Sequence, residues 1–375
     1  MMNFPTLMGI TSGAAFLLGF ILFFNNRKVN IKANKYLGLF VLTLGFAMLE
    51  IQLFCQKFHL QHAYLFEMIG LIRFLTAPLL YISILYFTSV HKKIEKKILW
   101  NFLPFAIFVI FRIPFFITGK NIEFSYETGS IVFFVLRIAL PLQTIIYWTL
   151  SFVKLQKHLK FLRQISSSTE KTDLIWLKYF LLILVLIILV WFNLVFFNLE
   201  YLIQFTPFIY LLSIFFLSYF SLQQREIYDF SKSELKELSS IQVYKKYSPK
   251  RVSGNRLSEL DEKLRTVTTS EKIYLENDLS LPDLAKRLGA SCNETSFVIN
   301  ELYQDNFYNF INKYRIEEAK TLLLSDKYNQ LNILGIAYES GFNSKTTFNT
   351  TFKKHTGMSP TEFVKANAIL VKKEV

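Results

Sequence analysis

The 375-residue chain has only two cysteines, Cys55 in an apolar run and Cys292 in a polar one, so no disulfide framework can be drawn from it. Its five histidines, His59, His62, His91, His158 and His355, lack the spacing of metal ligands, and no metal site is expected. Neither half contains a nucleophile set or a phosphate-cradling glycine loop, which leaves every enzyme class without support and implies no cofactor. Acidic residues number 28 against 42 Lys plus Arg, a formal charge of +14. That excess is weak evidence for nucleic acid, because much of it sits in short loops between apolar runs, where membrane topology also places positive charge.

Apolar residues are abundant. Phe alone occurs 40 times and the hydrophobic fraction is 52%, too high for two or three soluble domains. They form long runs up to Tyr219, and from Gln223 the chain takes on the mixed texture of a soluble domain. Seven spans of about 20 residues are expected, at 5–24, 36–55, 69–89, 98–117, 131–153, 177–197 and 201–220. Basic residues cluster after the first span (Arg27, Lys28, Lys32, Lys35), the third (Lys92, Lys93, Lys96, Lys97) and the fifth (Lys157, Lys160, Arg163, Lys171). The positive-inside rule turns these loops to the cytoplasm, with the N-terminus outside and everything after Phe220 inside. A cleavable signal peptide would need its charge before the apolar core, whereas Arg27 and Lys28 follow it, so the first span is expected to be retained.

Five polar groups fall within spans: Glu50, Arg73, Arg112, Arg137 and Asn193. Such groups pair or line a wet cavity, because a lone charge in lipid is costly. One reading is an outward-opening basic pocket for an anionic ligand or lipid headgroup; the other is arginines snorkelling to the interface beside a Glu50 to arginine ion pair.

After Phe220, Leu235, Leu238 and Ile241 form a short apolar stripe on a helix that continues the last span, and Ser248-Pro249 and Ser253-Gly254 break the chain. In DLSLPDLAKRLGASCNETSFVINELY, Ser280 and Asp283 form a capping pair, and Leu281, Leu284, Ala285 and Leu288 line one face before Gly289 ends the helix. Ser291 and Glu294 cap a second helix with Val298, Ile299 and Leu302 as its core face. The pattern recurs: LNILGIAYESGF gives a short helix stopped at Gly341, and Ser344 starts another with Phe348 and Phe352 four apart. Between them, Phe310, Ile311, Tyr314, Ala319, Leu322 and Leu323 mark the inward face of a long amphipathic helix. The expected fold is therefore all-α, a seven-helix transmembrane bundle followed by a cytoplasmic tandem helix-turn-helix.

Over about 257–365 the chain resembles the C-terminal domain of AraC-type transcription regulators. The resemblance is carried by DLSLPDLAKRLGAS, Arg315, Ala319, Leu322-Leu323, Ile336-Ala337, Gly341-Phe342, Phe348, Phe352-Lys353-Lys354, Gly357 and Ser359-Pro360. It implies that each unit lays its second helix in a major groove and that the joining helix sets the two about 34 Å apart. Carried over, the base-facing positions are Asn293, Ser296 and Phe297 in the first unit and Lys345, Thr346 and Thr350 in the second, with Asn300 and Asn349 as neighbours. Lys345 suits guanine, Asn293 adenine, and Thr346 or Thr350 a thymine methyl, while Lys353 and Lys354 suit phosphates. Phe297 and Thr350 stand where the family commonly has basic or amide residues, and Thr295 where it has leucine.

The expected organisation is a membrane sensor (1–220), a juxtamembrane linker (221–256), a DNA-binding domain (257–367) and a basic tail (368–375). The apolar spans and the resemblance together lead to the expectation of a membrane-tethered regulator in the bacterial cytoplasmic membrane, the spans themselves adding nothing to the resemblance. Its partners would be double-stranded DNA, the lipid bilayer, a small ligand or membrane protein, and a second copy of the chain. The rival is a transporter or channel with a basic regulatory tail, against which stands the lack of paired Gly/Pro-interrupted spans or an inverted repeat.

Overall fold

A computed structural model describes residues 4–24, 29–90, 96–170, 172–197, 199, 204–244, 254–325 and 331–373. Arg27, Lys28, Lys92, Lys93, Lys171, residues 201–203 of the last expected span, the breaks at Ser248-Pro249 and Ser253, and the side chains of Arg137 and of the tail lie outside the described residues. Among the described residues every regular element is helical, with one isolated antiparallel bridge between Ser166 and Ser280. The chain divides into two compact units, one of Met1–Lys157 with Leu174–Ile227, the other of His158–Asp173 with Tyr228–Val375.

The first unit contains α1 (Phe4–Phe23), α2 (Ile31–Cys55), the short α3 (Phe58–Gln61), α4 (Ala63–Leu71), α5 (Arg73–Thr88), α6 (Leu103–Thr118), most of α7 (Tyr126–Ile165), α8 (Ile175–Phe196) and α9 (Thr206–Gln223). Among the described residues, six stretches are long and apolar enough to cross a membrane: α1, α2, Ala63–Thr88, Lys96–Thr118, α7 and α9. The seventh expected span corresponds to α9 and the sixth to α8, a helix of 22 residues, IWLKYFLLILVLIILVWFNLVF. Near its end the Asn193 amide donates to Leu199 O (3.1 Å) and accepts from Leu199 N (3.2 Å), which clasps the following turn. Pro78, Pro114 and Pro141 sit inside α5, α6 and α7 without ending them.

Close packing of α1 on α2 rests on small residues. A Cβ on Gly38 would meet Gly19 O at 2.7 Å, so only glycine lets the two backbones approach this far. Ser12 Oγ then donates across the crossing to Gly45 O (2.9 Å), and Ser83 on α5 reaches Ala33 O on α2 (2.9 Å), which satisfies hydroxyls that lipid could not. Leu17, Ile110, Ile117, Phe133 and Leu212 point outward and are exposed, a surface suited to hydrocarbon rather than water.

The second unit begins with the last turns of α7, where His158 Nδ1 lies 3.0 Å from the Tyr228 hydroxyl. It continues through α10 (Lys232–Tyr244), α11 (Gly254–Thr269), α12 (Leu281–Leu288), α13 (Cys292–Tyr303), α14 (Phe307–Leu323), α15 (Ile333–Glu339), α16 (Lys345–Thr356) and α17 (Pro360–Lys373). On the side of α11 to α13 the buried residues include Leu260, Leu264, Leu284, Leu288, Val298 and Ile299. The other core joins Ile316, Ala319 and Leu323 of α14 to Ile336, Phe342, Phe348 and Phe352. The joining helix α14 thus serves both halves of this unit.

Candidate nucleic-acid interface

Local chemistry sets the first helix pair. Ser280 caps α12, accepting from Asp283 N while its own N donates to Asp283 Oδ2 (3.0 Å), and Gly289 ends the helix in the left-handed region at φ +62°. Ser291 caps α13 in the same way with Glu294, the Ser291 N to Glu294 Oε2 distance being 2.8 Å. Those hydrogen bonds hold the Glu294 carboxyl below the ordinary carboxylate range. Leu302, expected on the core face, is instead 43% exposed. Tyr303 takes the inward place, with its ring against Phe310 (4.8 Å) and its hydroxyl donating to Asp261 (2.7 Å).

The second pair has matching caps. Asn332 Oδ1 accepts from Gly335 N (2.9 Å) to start α15, and Ser344 Oγ accepts from Thr347 N (3.2 Å) to start α16. Between them Gly341 has φ +88°, and a Cβ there would lie 2.5 Å from Tyr274 O. This turn therefore requires glycine both for its backbone and for the chain passing over it.

Sequence comparison also detects a helix-turn-helix domain over this part of the chain. A family model described as a helix-turn-helix domain matches residues 284–366. Residues 284–366 form a helix-turn-helix domain of the AraC type. An uncharacterized HTH-type transcriptional regulator of Staphylococcus aureus strain COL is 32% identical over 117 residues, which is 31% of this chain and 15% of that protein. Counterparts in strains MSSA476 and N315 have the same identity and coverage. The chain thus spans about 15% of the length of the curated relatives it matches. No solved structure matches.

On the AraC-type domain, Lys345, Thr346 and Thr350 are exposed along α16, and Lys353 and Lys354 are exposed in its last turn. Asn349 is half-buried, its Oδ1 without a hydrogen-bond partner among the described residues. On α13, Ser296 and Phe297 are half-buried, and exposed Asn300 donates from Nδ2 to Ser296 O (2.6 Å) and Ser296 Oγ (3.2 Å). Asn293 is already engaged, its Nδ2 donating to Ser240 Oγ on α10 (2.8 Å). Thr295, at the position where leucine is common, is fully buried, and its hydroxyl donates back to Ser291 O (3.1 Å).

Sequence reasoning missed the polar hub of this domain. Arg315 carried the family resemblance, yet only its placement shows its work: the side chain is wholly buried and every acceptor it meets is a neutral oxygen. Its Nε donates to Tyr274 O (2.7 Å), one Nη to Glu276 O (2.7 Å) and Ser167 Oγ (3.1 Å), and the other to Ser167 O (3.4 Å). Burial lowers its pKa to about 10, so it stays charged at neutral pH. Ser167 belongs to the connection between α7 and α8 and spends every polar atom here: N and Oγ donate to Leu279 O (3.1 and 2.6 Å), and O also accepts from Asn312 Nδ2 (3.2 Å). Its neighbour Ser168 accepts at Oγ from Asn343 Nδ2 (3.0 Å), just ahead of α16.

Among the described side chains of the candidates within apolar helices, Glu50 and Arg73 are brought together. Arg73 Nε donates to Glu50 Oε2 (2.8 Å), a second guanidinium nitrogen pairs with Glu50 Oε1, and both residues line a cavity of about 520 Å³ whose walls include Met48, Phe66, Leu140 and Tyr210. Arg112 turns instead to Glu67 (2.8 Å) and Asn121 (3.1 Å), and Asn193 to Leu199.

Proposed function

We propose that the chain is a membrane-anchored, sequence-specific DNA-binding transcription regulator, with the AraC-type domain on the cytoplasmic side. The observation that carries it is the pair of capped helix-turn-helix units in a chain whose described residues also include six apolar stretches long enough to cross a bilayer. Lys345, Thr346 and Thr350 read bases from α16, Lys353 and Lys354 grip phosphates, and Asn293, Ser296 and Phe297 read from α13, with Asn300 and Asn349 beside them. The alternation of basic loops supports an outside N-terminus and an inside C-terminus.

The signal enters through the first unit. The cavity beside Glu50 and Arg73 is mostly apolar, with that ion pair and the hydroxyl-bearing Thr76, Thr206 and Tyr210 in its wall, which fits an amphiphile whose anionic head competes with Glu50 for Arg73. A ligand shifts output only by binding two states unequally, and α7 supplies a covalent route, since its C-terminal turns lead directly into Ser167 and the Arg315 hub.

DNA footprinting of the full chain in lipid nanodiscs at several salt concentrations tests this reading. Lys345→Ala should relax base preference within one half-site, whereas Lys353→Ala should weaken binding across all sequences and reduce the salt slope by about one. Unchanged binding in both variants would overturn it.

A further inference from the structure

Helix α10 lies on the N-terminal turn of α13, the end of a reading helix that enters the groove. Its apolar side is fixed there, Leu238 being fully buried and Ile241 nearly so. Its polar side supplies two groups to α13: Glu237 Oε2 accepts from Cys292 N (3.3 Å), and Ser240 Oγ accepts from Asn293 Nδ2 (2.8 Å). A first-turn amide of a reading helix is where a DNA phosphate oxygen would bind, and an asparagine amide is where an adenine edge would. An anionic oxygen and a neutral hydroxyl from the same chain stand at those two places.

We infer that α10 is an intramolecular competitor of DNA, Glu237 standing in for a backbone phosphate and Ser240 for a base edge, so that the first helix-turn-helix unit reads DNA only when α10 leaves α13. The inference rests on the DNA-binding reading above and adds its regulation. Among the described residues no such cover lies on α16, whose Lys345, Thr346 and Thr350 are exposed. The two units therefore differ in readiness: the second binds first, and the first adds its half-site when α10 lifts. Charge explains why the competitor works, since a carboxylate and a phosphate cannot share one amide and the approaching backbone meets like charge at Glu237. It also explains why the hold is reversible, because one hydrogen bond to a backbone amide and one to a side chain amount to a modest barrier. Cys292, buried beneath the contact with its thiol pushed up to about 12 by burial and by Glu237, remains a neutral packing group.

The test uses the full chain in nanodiscs and a labelled duplex that the same protein selects from a random pool. Glu237→Ala with Ser240→Ala should bind about tenfold more tightly, extend the footprint over the first half-site and steepen the salt dependence by about one phosphate. Glu262→Gln, which removes one exposed acidic charge from the same unit, should stay within about twofold and so separates contact from bulk charge. In a Cys55→Ser background, Glu237→Cys oxidised onto Cys292 should lose the first half-site alone and regain it on reduction. Tight, Lys345-dependent binding that neither the α10 substitutions nor the cross-link alters would overturn the inference while leaving the DNA-binding reading intact. No binding by any variant would overturn both.

Discussion

Arg315 gathers the AraC-type domain around a single charge. A buried guanidinium without a carboxylate is tolerable only because neutral oxygens from several segments converge on it: Tyr274 O, Glu276 O, Ser167 O and Oγ, and Asn312 Oδ1. Lysine keeps the charge but has three donors in place of five and no planar fork, so it cannot serve acceptors spread on opposite sides. Arg315→Lys should lower the unfolding free energy by about 3 kcal/mol, from two charged hydrogen bonds lost and carbonyls left unpaired, measurable by chemical denaturation followed at the domain's aromatic residues. The sequence marked Arg315 as part of the family pattern, but nothing in it indicated burial, because burial depends on which distant carbonyls the fold brings to it. The loss of Leu302 from the core has the same origin, since Tyr303 next to it competes for the inward position and wins by pairing its hydroxyl with Asp261.

At the level of helices, capping residues are the most legible feature of this chain. Ser280, Ser291 and Ser344 begin helices and Gly289 and Gly357 end them, because each acts on backbone groups within a few residues and needs no tertiary partner. The Glu294 and Glu362 carboxylates accept from Ser291 N (2.8 Å) and Ser359 N (2.7 Å), and these bonds hold both below the ordinary carboxylate range. A depressed folded-state pKa means that the stabilisation is complete above the unfolded carboxylate value and is lost as pH falls through the folded one. The thermal midpoint should therefore fall below about pH 4.5, and Glu294→Gln should flatten that decline while lowering the midpoint at neutral pH. A midpoint as acid-sensitive in the variant as in the parent would contradict this account. Apolar helices were legible for a similar reason, since each announces itself by composition along a continuous run, as the 22 residues of α8 do.

For the whole molecule, the decisive polar pairs join residues far apart in sequence. Glu50 is almost completely buried and faces Arg73, so neither charge can be removed singly without stranding its partner in an apolar surrounding. Arg73→Glu should lower the thermal midpoint of the nanodisc-embedded chain and change occupancy of its selected DNA, and Glu50→Arg introduced with Arg73→Glu should restore at least half of both losses. Failure of the exchanged pair to recover either property would show that the ion pair is not what the two residues contribute. Ligand binding in the adjoining cavity would act on the same pair, whereas a signal carried by α7 would reach Ser167, so the swap addresses input and the Ser167 contacts address transmission.

The sequence alone determined that this chain has a run of apolar helices followed by two capped helix-turn-helix units. Composition, spacing and capping are local or periodic properties, readable in one dimension. Only the tertiary structure decided that Ser167, 148 residues before Arg315, is part of the DNA-reading domain's hub, and that Glu237 and Ser240 cover the start of α13. The physical reason is that a hydrogen bond between distant segments has no repeat or composition of its own. It exists because the chain's path brings a donor to an acceptor, and that path is set by all the packed helices together.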